Sequence, residues 1–168
     1  MKTLDFSPRP GGPKPQAAPY VPGTDLATYG FSEQFVVWAT RAAQMGLDKG
    51  AAHFRLSSAF AAVDAPDALP LLQQFLGLLE IEFGRPLAAP CFKWRALMAD
   101  EARVLSLIAL FQRCATGDAT ASLPNLPMPL LQTGQRLALT LSATGLLLQP
   151  SNQASKTGCW PDAMPVLH

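Results

Sequence analysis

The sequence predicts an all-α fold: a single-domain bundle of about five helices with an extended proline-rich N-terminal arm and an irregular C-terminal tail. Three observations predict it. Alanine and leucine number 26 each in the 168-residue chain, whereas valine and isoleucine together number eight, and the first pair favours helix as the second favours strand. From residue 31 onward apolar residues recur at helical spacing rather than in alternation. Glycine and proline fall at the ends of those periodic stretches, where they close or open helices. The expected organisation is an arm over 1–30, a helical domain over 31–148 and a tail over 149–168.

Residues 8–23 hold six of the 16 prolines. Proline lacks a backbone donor and disfavours helix in the residue before it, so this stretch is read as extended and outside the core, with Tyr20 and Tyr29 as its anchors. The first helix is expected from Ser32 to Met45, with Ser32 as cap, Glu33 favoured by the dipole and Gly46 as the stop. Its apolar stripe is Phe35, Trp38, Ala39, Ala42 and Met45. A second helix from Lys49 to Val63 follows Asp48 as cap and buries Ala52, Leu56, Ala59, Phe60 and Val63. The third, Asp67 to Phe83, carries Pro70 in its first turn and ends at Gly84. A fourth is expected from Trp94 to Ala115, with an acidic Asp100-Glu101 step that resembles a fresh helix start. The fifth runs from Pro129 to Ala143 and closes at Gly145. Leu71–Phe83 and Val104–Phe111 are apolar on every side, which marks them as the centre of the bundle or the seam of a homodimer.

Composition narrows the function classes. With 13 basic and 12 acidic side chains, the chain lacks the basic surplus on which affinity for nucleic acid or an anionic membrane rests. The first residues carry no apolar run of the secretory kind, and no window approaches the roughly 18–20 apolar residues of a membrane span. Cys91, Cys114 and Cys159 are odd in number and widely spaced, which suits neither a disulfide framework nor a zinc site, so reduced thiols in a cytoplasm are expected.

Two clusters are candidate binding sites. Arg85 with Lys93, Trp94 and Arg95 alternates cations and aromatics just before a helix, a setting that suits an anionic or aromatic ligand. Ala42 to Arg55 places Gly46 four residues after Ala42 and Leu47 beside it, a spacing similar to a DNA-binding helix-turn-helix, with Lys49, His53 and Arg55 on its reading face. Catalysis has less to work with. The histidines are His53 and His168, neither in a recognisable nucleophile setting, and no Glu-x-x-His pair suggests a carboxylate-bridged metal centre. No catalytic residue, metal or cofactor is therefore expected. The function expected is a non-catalytic protein-interaction or regulatory adaptor of bacterial cytoplasmic type, whose partner is a second copy of itself or another protein, without nucleic acid or membrane.

Overall fold

The computed structural model describes residues 20–46, 51–117 and 125–149, with backbone alone for 51–54. Five α-helices make up the described fold: α1 Phe31–Gln44, α2 Ala51–Ala62, α3 Ala68–Phe83, α4 Ala99–Ala115 and α5 Met128–Ala143, with a single 3-10 turn at Leu26–Thr28. No strand is present among the described residues, and no described helix is long and apolar enough to cross a membrane.

Helix ends follow local chemistry in most places. Gly84 takes a left-handed conformation, φ 65°, that ends α3, and the Arg85 amide reaches back to the Glu80 carbonyl at 3.2 Å. Pro129 sits in the first turn of α5, where a missing amide hydrogen is no loss. Two expected starts differ. Ser32 does not cap α1: the helix begins at Phe31 with Gly30 in the cap position. α4 begins at Ala99 rather than Trp94, because the backbone groups before it are drawn into other partners. The Arg95 carbonyl accepts from the Leu26 amide, and Leu97 exchanges both its backbone groups with Gly23 and Thr24, at 2.8 Å in each case. That short antiparallel pairing, with Asp25 opposite Ala96, docks residues 20–26 on the bundle. Tyr20 is buried there and packs on Tyr29.

α3 and α4 both pack chiefly on α5, which lies between them, while α1 crosses α4 and α3 and α2 leans on α3. The two helices that look most apolar in sequence are therefore flanks of one layer, and α5 is its middle. Small residues allow this. On α5, Thr133, Gly134 and Ala138 are buried between Leu130, Leu137 and Leu141, so the ring of Phe111 from α4 lies directly over Gly134 and meets Phe75 of α3 edge-on at 6.3 Å between ring centres. On the other side Phe35 of α1 meets Phe60 of α2 at 5.0 Å. Each such buried side chain contributes about 1.5–3 kcal/mol through removal from water. The apolar face of the third helix is not wholly covered, however, for Ile81 is 78% exposed.

Candidate functional site

The charged residues inside the bundle are the first place to look for chemistry. Arg41 of α1 and Glu101 of α4 are both buried and form a two-bonded pair, Nε to Oε1 at 2.6 Å and Nη2 to Oε2 at 2.9 Å. Two further guanidinium hydrogens go to the carbonyls of Trp94 and Ala96, and Glu101 also accepts from the Met98 amide at 2.9 Å. Glu33 is likewise buried, and its Oε1 accepts from the Tyr20 hydroxyl at 3.1 Å and from the Gln149 amide at 2.7 Å. The two ends of the described fold thus meet on one carboxylate oxygen. Burial, and then the neighbouring Glu33 carboxylate, push the Tyr20 hydroxyl far above the ordinary phenol range. Gln112 holds the last segment in the manner of a strand partner, donating to the Leu146 carbonyl and accepting from the Leu148 amide, both at 2.9 Å. These groups brace the fold against one another.

The ligand cluster expected before α4 is arranged in the same way. Arg85 grips Asp100 with two bonds of 2.7 and 2.8 Å and lies against the Phe83 ring. The Ala88 amide adds a third bond to Asp100, so the start of α4 is filled by the protein's own carboxylates. Arg95 is paired with Asp25 at 3.2 Å and its side chain is 76% exposed. Lys93 and Trp94 point to solvent. The cluster comes together as a loop over 84–98 pinned by Arg41 and Asp100, and Trp94 supplies a carbonyl to Arg41 rather than a ring to a pocket. Of the helix-turn-helix residues, Lys49 lies outside the described residues, as does the side chain of His53, and Arg55 is exposed on α2. Cys91 is exposed and Cys114 half-buried, and neither is joined in a disulfide among the described residues. Cys159 lies outside the described residues. Among the described residues no three His, Cys, Asp or Glu side chains gather closely enough to hold a metal.

Asp100 has a pH signature. The Arg85 guanidinium holds its carboxyl below the usual carboxylate range, and the Ala88 amide helps, while burial opposes both. A depressed folded-state value means that the stabilisation is present above the unfolded value, about 3.9, and is lost as pH falls through the folded one. The difference in urea midpoint between wild type and Asp100→Asn should therefore be largest near neutrality and close below about pH 4. A difference that stays constant through that acid range would show that Asp100 acts by shape alone.

Free charges and exposed apolar groups coincide elsewhere, on the outer face of α3 and α5. Asp67, Pro70, Leu71 and Gln74 from one side and Arg136, Leu139 and Thr140 from the other line an open groove of about 640 Å³. A second hollow of about 390 Å³ continues it from Gln74 and Arg136 towards Gln132 and Pro129. The hollow that reaches Asp67 is lined on α5 by residues 136–140, and the one that meets α3 at Gln74 alone extends back to Pro129; the two helices therefore run antiparallel, which sets Asp67 towards Thr140 and Gln74 towards Gln132. Leu139 is 53% exposed. Neither Asp67 nor Arg136 forms an ion pair or side-chain hydrogen bond among the described residues, in contrast to the charges of the interior. Sequence reading passed over this site. A signal was present: Leu130, Leu137 and Leu141 mark the buried face of the fifth helix, and Leu139 falls two residues from that face, beside Arg136 one turn earlier.

Among the described residues, fold and site together define an all-α bundle of five helices whose buried charges Glu33, Arg41, Asp100 and Glu101 are bonded within the fold and whose open groove lies between two antiparallel helices. Comparison with protein-family models, curated proteins and solved structures finds no match.

Proposed function

We propose that this protein is a non-catalytic interaction module, a cytoplasmic adaptor or regulator that works by presenting the α3/α5 face to a protein partner. The observation that carries this reading is the groove itself. It joins the exposed side chain of Leu139 and the half-buried Leu71 to two charges without side-chain partners among the described residues, whereas Arg41, Glu101, Asp100 and Glu33 are each committed to partners inside the fold. An open, elongated hollow between two helices suits a protein segment better than a small molecule, which needs enclosure on most sides. Apolar surface ringed by polar groups is the usual character of a protein-binding patch.

A photo-crosslinking amino acid placed at Gln74 or Gln135 in living cells tests this, with Thr116 at the end of α4 as the control position. Protein adducts at the two groove positions, lost when Leu139→Glu is added, are the expected result. Groove positions that yield no more adduct than Thr116 would overturn the reading.

A further inference from the structure

The partner can be named more closely, on the assumption that the α3/α5 face is a docking surface as proposed above. Among the described residues the groove is lined by one cation and one anion, Arg136 and Asp67, each without a side-chain partner, together with Leu71 and Leu139. A partner of one sign would match one of these charges and repel the other. A second copy of this chain presents both. We infer that the α3/α5 groove is a self-complementary seat, in which a two-fold axis running along the groove sets α5 of one protomer over α3 of its partner.

The geometry follows from the antiparallel pairing of the two helices. An axis along the groove preserves height along both helices, so residues that face each other across the groove in one copy also face each other between copies. Arg136 then lies over the partner's α3, one helical turn from the partner's Asp67, within the reach of an arginine side chain. Symmetry makes this contact twice. Leu139 of each copy meets the partner's Leu71 between the two charge pairs, which removes the most exposed apolar wall of the groove from water. A net charge of +1 per chain puts no long-range repulsion in the way.

The test uses the full chain in sedimentation velocity at low salt, with thermal unfolding as a check on folding. Wild type is expected to be dimeric. Arg136→Asp leaves two aspartates in each groove and Asp67→Arg leaves two arginines, so each variant alone should associate at least about tenfold more weakly, because two attractions become two repulsions. An equal mixture of the two should form a heterodimer, and the double variant carrying both reversals should dimerise again. Leu139→Glu provides a variant away from the helix start of α3, expected to be a folded monomer. A wild type that is monomeric up to its solubility limit overturns the inference, and so does a dimer indifferent to both reversals or a mixture that fails to pair. If wild type is monomeric while crosslinkers in the groove still capture a different protein, self-association falls and the interaction reading stands. If neither occurs, both fall.

Discussion

Arg41→Ala is expected to lose about 3–5 kcal/mol of stability in urea unfolding, the largest effect of any single polar replacement in the described fold. The reason is what the substitution leaves behind. Glu101 remains at 1% exposure with its cation gone, and its one remaining donor is the Met98 amide. The carbonyls of Trp94 and Ala96 lose a donor as well, and an unpaired buried polar group costs about 1–3 kcal/mol. Against a typical total of roughly 5–15 kcal/mol for a domain, such a loss leaves little in reserve. Arg41→Met combined with Glu101→Gln should recover part of it. That pair removes both charges and keeps an acceptor for Met98, while the two loop carbonyls stay without Arg41. Amide exchange should quicken first at Gly23, which donates to the Leu97 carbonyl, and at Leu97, which donates to the Thr24 carbonyl, since both bonds depend on the loop that Arg41 pins. A single variant within 1 kcal/mol of wild type would mean that water replaces the guanidinium and that the pair is not a brace.

This arrangement also explains which parts of the fold were legible in the sequence. The all-α class and the ends of α1, α3 and α5 follow from alanine-leucine content and from Gly46, Gly84 and Gly145, signals that act within one or two turns. The start of α4 did not follow, because its cause lies at a distance. Trp94–Ala96 would suit a helix locally, but Arg41, more than fifty residues earlier, and the paired segment at 23–26 claim their backbone groups. Glu33 reads in sequence as a helix-start charge and proves to be a buried tie between Tyr20 and Gln149. The groove is illegible for a related reason. Asp67 and Arg136 belong to different helices, and only their antiparallel packing brings them to one face. Leu71–Phe83 and Val104–Phe111 were visible as the greasiest stretches, yet hydrophobicity alone does not say which helix stands between the others. Small residues on α5 decide that.

Gly134 is where that decision can be tested by the second large effect. In the middle of a helix, glycine to alanine ordinarily gains about 1 kcal/mol, since alanine has less backbone freedom to lose. Here the opposite sign is expected. A Cβ built on Gly134 comes within 2.8 Å of both Cδ2 and Cζ of Phe111, with Cε2 nearer still. The ring has no room to withdraw, because Phe111 is 1% exposed and abuts Phe75, itself fully buried. Overpacking of this kind costs about 1–3 kcal/mol and occasionally more, which outweighs the gain in helix propensity. Gly134→Ala should thus lower the urea midpoint, and Gly134→Val should lower it further. The origin is separable from a general intolerance of α5. Shrinking the ring with Phe111→Leu opens space over position 134, so Gly134→Ala with Phe111→Leu should lose clearly less than the two single losses added together. A Gly134→Ala variant more stable than wild type would mean that α4 and α5 can part without penalty, and that the ring of Phe111 over Gly134 does not set the spacing of the layer.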